Sequence, residues 1–279
     1  MKDLKFESIF FTFSILLFTV YCFFVVYHSP FSLYNQTMRS IILYIYIVFI
    51  ALMLIPLLLV CALLNWPEPL FFIAKHAISV GEIILGLKIE YRGLHRIKKN
   101  QRYIYMPNHL SMLDGPILFK SIPQNVRVIL KQGVLRLPVI GQAMKEAHFI
   151  PVDRKGKQGG KRAVQRAVRM IQENKISFLI FPEGTRSRTG KLQEFRRGGF
   201  FLAIDSETPI VPVSIMGTYK LMPRGSYFIK KGKVKVVFHP PISVQGYTHD
   251  NMHELIDKIW KVVKYPLLKK SRSPSQNEI

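Results

Sequence analysis

The sequence predicts an α/β domain, a mixed and largely parallel sheet flanked by helices, behind an N-terminal membrane-anchoring helical hairpin. Three observations predict it. Two runs without a charged residue, 9–27 and 41–66, dominate the first 66 residues. Beyond them, short β-rich runs alternate with helix-type patterns, the arrangement that builds parallel sheets. With 279 residues and 49% apolar content, the chain can fill one sizeable core in addition to an anchor.

The anchor comes first. At about 1.5 Å per residue, the 9–27 run reaches roughly 28 Å, about one hydrocarbon thickness. A cleaved signal peptide fits it poorly, because Tyr27, His28, Ser29, Pro30 and Phe31 offer no small-residue cleavage site. The 41–66 run is longer and carries Pro56, which a membrane helix tolerates as a kink. Spanning the bilayer and dipping into one leaflet both remain open. Lys2 and Lys5 precede the first run, and Lys75, Lys88, Arg92, Arg96, Lys98 and Lys99 follow the second. The connecting stretch holds Arg39 alone. The positive-inside rule then puts both ends, and the folded domain, on the cytoplasmic side, at the inner membrane if the source is bacterial.

Residues 67–86 mix apolar positions with Lys75, His76 and Glu82 and read as a helix between membrane and domain. Strands are expected at 87–92, 102–106, 126–130, 149–152, 177–181, 210–215 and 233–238. Residues 161–173 form an amphipathic helix, with Ala163, Val164, Ala167, Val168 and Ile171 on one face and Arg162, Arg166 and Arg169 on another. A further helix is expected at 252–268. The division is therefore 1–66 for the anchor, 67–270 for the folded domain and 271–279 for a polar tail expected to be disordered.

Net charge is +23, and Lys2, Lys5 and Arg39 against Asp3 and Glu7 leave the anchor nearly neutral, so the domain carries almost all of it. Such a surface attracts polyanions. The apolar runs favour lipid over nucleic acid as partner. Cys22 and Cys61 both sit in apolar runs, and no Cys/His cluster has zinc spacing, so neither a disulfide framework nor a metal site is expected.

Two stretches carry chemistry. Pro107, Asn108 and His109 follow a predicted strand, and Asp114 opens a helix pattern. Histidine is the usual general base near neutral pH, and a carboxylate on its other ring nitrogen would orient it. On one regular helix the two side chains would point about 140° apart. The pair therefore works only if His109 lies on the turn and Asp114 reaches back from the first helical turn. Taken alone, this spacing also suits a plain surface turn, or two ligands of a metal lacking its third. The second stretch is FPEGTRS at 181–187, a glycine-containing turn after a buried-type strand. Its backbone N–H groups and the Arg186 fork suit an anion, although an ordinary turn with a solvated arginine is the plain alternative. Residues 156–160 (GKQGG) with Lys161 miss the phosphate-loop pattern, because Lys155 and Arg162 stand where glycine and Ser/Thr are needed.

Together these blocks resemble the glycerolipid acyltransferases, most closely the 1-acyl-glycerol-3-phosphate acyltransferases of the PlsC type. The N-H-x-x-x-x-D block is Asn108, His109 and Asp114. A second block is Lys131, Gly141 and Arg154, with Val134 where leucine is usual. The third is complete at 181–187. Phe195, Arg196, Arg197 and Gly198 match a later stretch, and Val211, Pro212 and Val213 the fourth block. The match runs over roughly residues 100–217, and four blocks in order are far more specific than one.

The resemblance implies a glycerol-3-phosphate acyltransferase-like fold and an acyl transfer. In it, His109 is the base and Asp114 its holder. Lys131, Arg154, Glu183, Gly184, Thr185 and Arg186 bind the acceptor's glycerol phosphate. The acceptor is lysophosphatidate, and acyl-CoA or acyl-ACP (acyl carrier protein) enters as co-substrate, with no cofactor and no metal. The apolar segment 134–144 lies near the acyl chain or the bilayer. Other lyso-acceptors, glycerol 3-phosphate, a non-enzymatic basic tether and a metal-dependent hydrolase are the alternatives.

Overall fold

A computed structural model describes residues 36–64, 66–152, 157–174 and 176–269. The apolar run 9–27, Arg154 and the tail 271–279 lie outside the described residues.

Seven strands form one sheet in the order β1-β7-β6-β2-β5-β3-β4. They are β1 (Leu87–Arg92), β2 (Ile104–Pro107), β3 (Val126–Lys131), β4 (Ile150–Val152), β5 (Ser177–Leu179), β6 (Ile210–Met216) and β7 (Gly232–Phe238). Every pairing is parallel except β6 with β7. The central strands β2 and β6 are buried at every position, because helices cover both faces, and so they read as unbroken apolar runs. At the edge, β1 alternates between half-buried and exposed residues.

Alternate side chains feed two cores. On one face, Tyr105, Val211, Val213 and Ile215 pack with Phe71, Ile117 and Phe119 from α2 (Glu68–Leu85) and α3 (Asp114–Ser121). On the other, Ile104, Met106 and Ile210 meet Ala167 and Ile171 of α5 (Lys157–Asn174), Phe200 of α6 (Gly198–Asp205) and Ile259 and Val263 of α8 (Met252–Lys269). The apolar face read at 161–173 is thus the face that packs. Two short helices complete the set, α4 (Ile140–Glu146) and α7 (Thr218–Leu221).

The second apolar run is α1 (Gln36–Leu64), long and apolar enough to cross a membrane. It folds back on α2 through a short turn at Pro67 and also packs on α4. Leu43 and Tyr46 join Val80 and Ile84 near one end, while Leu58 and Cys61 join Leu70 near the other. Ile41, Ile45, Val48, Leu52, Ile55, Leu59 and Leu63 form an exposed stripe at helical spacing along its outer side. The expected boundary at residue 66 falls inside this helix pair. Arg39, expected in a connecting loop, lies within α1 and is 9% exposed. Its side chain fills the space that a Cβ on Gly86 would need, and Gly86 also closes α2 in the left-handed region at φ 65°.

Candidate active site

Parallel strands deliver their following loops to one edge of the sheet, the usual ligand edge of α/β folds. Here β2 ends at Pro107 and leads into His109, and β5 leads into the 181–187 turn.

Asn108 sets the turn after β2. Fully buried, it donates from Nδ2 to the Ile215 carbonyl (3.0 Å) and accepts from the Ile215 N–H (2.7 Å). This two-way bond replaces a ladder rung just where β2 leaves the sheet. The Asp114 Oδ2 then accepts from the N–H groups of Leu110 (2.6 Å) and Ser111 (2.7 Å), and the Ser111 hydroxyl donates to the Met222 carbonyl (2.8 Å). The same Oδ2 lies 3.0 Å from Nδ1 of His109. The Asp114 side chain is wholly buried, whereas His109 keeps 19% of its side chain exposed. His109 is on the turn and Asp114 in the first turn of α3, as their chemistry requires.

The 181–187 turn is bonded to the same histidine. The Ser187 N–H donates to the His109 carbonyl (2.9 Å), and Phe181 stacks on the imidazole with centroids 3.9 Å apart. Glu183 was expected at the acceptor's phosphate, but its carboxylate is spent within the protein. Oε1 accepts from the His109 N–H (2.6 Å), and Oε2 accepts from the backbone N–H (3.1 Å) and Nε2 (2.8 Å) of Gln193. Only 2% exposed, it lies behind the site. Burial pushes its carboxyl up to about 7, against the pull of those three donors, and the Asp114 charge adds to the rise. Gly184 turns the chain at φ 72°, and a Cβ there would press on the Arg196 side chain. Thr185 and Arg186 are half-buried on the outer side of the turn. Arg224 donates to the Thr185 hydroxyl and to the Arg186 carbonyl, both at 3.3 Å.

Lys131 ends β3 and is exposed. Ile104 pairs with Phe178 and Phe178 with Arg127, so Lys131 sits level with Asn108 two strands away. That separation is roughly 10 Å at normal strand spacing. Gly141, from the same block, lies in the first turn of α4, where a Cβ would collide with the Leu135 carbonyl. Sequence reasoning missed Gln193 and Arg224. Gln193 stands two residues before the Phe195 stretch but occupies no motif position, Arg224 lies outside every block, and only the fold brings them to the turn.

Beside this edge lies a cavity of about 470 Å³. It begins at Leu113, Gly115 and Pro116 around the start of α3 and runs between α1 and α2 to Ala143, Met144 and Phe149. Glu82, ion-paired with Lys120, is the one charged side chain in its wall among the described residues. Burial raises its carboxyl above the ordinary range.

Chemically, the site is an oriented imidazole between an apolar chamber and a cation-bearing turn. The Acyltransferase family model matches residues 88–216. A 1-acyl-sn-glycerol-3-phosphate acyltransferase of Limnanthes douglasii is 31% identical over 209 residues, 74% of each chain. The alpha enzyme of that name from Homo sapiens is 28% identical over 220 residues, 77% of this chain and 75% of that one. A chloroplastic one from Arabidopsis thaliana is 34% identical over 173 residues, but those span only 48% of its length. Among solved structures, the Thermotoga maritima 1-acyl-sn-glycerophosphate acyltransferase PlsC superposes with a TM-score of 0.69 at 24% identity. That match covers 87% of this chain and all of that one, a likeness of fold.

Proposed function

Because this chain belongs to the 1-acyl-sn-glycerol-3-phosphate acyltransferases, we propose that it moves a fatty acyl group onto the sn-2 hydroxyl of 1-acyl-glycerol 3-phosphate, giving phosphatidate. The observation that carries the reading is His109 Nδ1 held 3.0 Å from the buried Asp114 carboxylate, whose chain neighbours Leu113 and Gly115 line an apolar cavity.

With Nδ1 facing Asp114, Nε2 is the nitrogen left for the acceptor. It takes the hydroxyl proton as that oxygen attacks the thioester carbonyl carbon, and Asp114 stabilises the imidazolium. The C–S bond then breaks, and the imidazolium returns the proton to the leaving thiolate. Covalent acyl-enzyme chemistry is not needed. The acceptor's phosphate sits at Thr185 and Arg186, with Lys131 and Arg154 completing the charge and Gly184 shaping the turn. Glu183 is a positioning residue that ties this turn to the His109 backbone. The acyl chain occupies the cavity, whose volume lies in the normal range for ligand chambers. Acyl-CoA or acyl-ACP serves as co-substrate without a bound cofactor, and both are acidic, which suits the net charge of +23.

The protein associates with membranes through α1. We place the catalytic domain on the cytoplasmic face, from the cluster of Lys and Arg after residue 66.

The test is purified protein with lysophosphatidate and labelled acyl-CoA or acyl-ACP, following phosphatidate. His109→Ala should lower kcat/KM by about 10²–10⁴ or more, the usual worth of a general base, while binding to liposomes is retained. Undiminished transfer by that variant would remove the proposed base.

A further inference from the structure

The segment 223–231 (PRGSYFIKK) belongs to no motif, yet it joins the outer side of α1 to the phosphate turn. Tyr227 is 77% exposed and Phe228 45% exposed, although both rings are large and apolar. Their exposure is not that of a loose loop. The Ile229 side chain is buried with Leu43, Tyr46 and Ile84, and its N–H donates to the buried Ser40 hydroxyl of α1 (2.9 Å). Tyr44 of α1 donates its phenol to the Tyr227 carbonyl. The Ser226 hydroxyl donates to the Phe228 carbonyl (2.8 Å), and the Lys230 N–H to the Leu221 carbonyl (2.9 Å). The loop is pinned from both sides, and its two rings are held outward.

What lies beside them indicates the partner. Tyr44 is next to Ile41, Ile45 and Val48 on α1, so the exposed apolar stripe of that helix runs up to the loop. Arg224, Lys230 and Lys231 are exposed on the loop itself. Aromatic rings flanked by cations at the end of an apolar stripe match the headgroup level of a bilayer, and the charge fits an anionic leaflet. At the other end of the loop, Arg224 donates to Thr185 and to the Arg186 carbonyl.

We propose that residues 223–231 are a bilayer-docking loop, which seats Tyr227 and Phe228 in an anionic headgroup layer and so holds Arg224 against the phosphate turn. This rests on the acyl-transfer reading for its link to substrate, but not for the docking itself. Lysophosphatidate reaches the site from that same layer, and the loop sets the height at which its phosphate arrives.

The docking is read by fluorescence. Tyr227→Trp is introduced into a Trp66→Phe background of the full chain, and the same protein without the new substitution corrects for Trp260. On vesicles of phosphatidylcholine and phosphatidylglycerol brominated along the acyl chains, the indole at 227 should be quenched and its emission shifted to shorter wavelength. Emission indifferent to brominated lipid but open to aqueous iodide overturns the proposal. Quenching needs no turnover, so it decides the loop even in a preparation that transfers nothing, a result that would count against the acyl-transfer reading alone.

Coupling to the site is read by kinetics. The double variant Tyr227→Ser/Phe228→Ser alters only exposed rings and should keep its thermal midpoint. It should raise KM about fivefold for lysophosphatidate delivered in anionic vesicles, an effect on the scale of a lost interfacial contact. The KM for a short-chain, monomeric lysophosphatidate should stay unchanged. Arg224→Gln, which touches the turn directly, should raise KM for both substrate forms. Equal effects of the serine variant on both forms, or none from Arg224→Gln, would break the link between bilayer and turn.

Discussion

At the residue scale, the site depends on where a few polar groups spend their bonds. One Asp114 oxygen serves the His109 ring and two N–H groups of the turn, so the carboxylate that orients the imidazole also shapes the loop carrying it. Glu183 does the same for the backbone of His109. Its carboxyl binds a proton more tightly in the folded protein, up to about 7, than at its ordinary value of 4.5, chiefly because burial disfavours its charge. Its contribution to folding is therefore most favourable below about pH 4.5 and is lost as pH rises through about 7. Glu183→Gln removes this titration. Across that window the thermal midpoint of the native protein should fall relative to the variant's. Parallel curves would show that Glu183 titrates normally. The variant should also lose transfer activity, because one amide oxygen cannot accept from both the His109 N–H and the two Gln193 donors. His109 and Asp114 could be singled out in the sequence through the four ordered blocks of the family resemblance, not through their spacing alone. The duty of Glu183 was not, because a carboxylate in a glycine turn looks the same facing a ligand or facing inward, and only burial separates the two.

At the element scale, all seven expected strands formed, and their boundaries differ from the reading by a few residues. The central strands were legible as short, unbroken apolar runs because each face of this sheet meets a helix layer. The short helices α4, α6 and α7 were less legible, since four to eight residues carry too few turns for a face to show. In the proposed function helix α4 bears on the acyl chain. Ala143 and Met144 line the cavity together with Ala74 and Phe71 of α2. Ala143→Phe should fill its far end. In a series of acyl donors, kcat/KM should then fall for long chains and hold for short ones. A uniform loss across the series would mean that the cavity does not hold the chain. Filling an existing void strains the structure less than overpacking, so the variant should remain folded.

At the scale of the whole molecule, two forces bring the protein to its substrate. The stripe on α1 is apolar, and the net charge of +23 lies almost entirely outside the first 66 residues. Their salt dependences differ, because the Debye length shrinks from about 10 Å at 0.1 M to about 3 Å at 1 M while apolar burial is not screened. Binding to anionic vesicles should weaken as salt rises and level off at a residual value, and binding to neutral vesicles should hardly change. Complete release from anionic vesicles at high salt would mean that α1 contributes no apolar contact with lipid.

The sequence by itself determined the fold class, the strand order along the chain, the basic membrane-seeking character and the family, through four ordered blocks. These are properties of local pattern, and periodicity, charge and motif spacing are written in consecutive residues. Tertiary structure alone decided that α1 and α2 share a cavity with the start of α3 beside His109, that Glu183 looks inward, and that Arg224 joins a turn some forty residues away in the chain. Each of these depends on which surfaces meet when the sheet closes. A buried oxygen takes whichever donor the packing brings within about 3 Å, and no pattern along the chain records that choice.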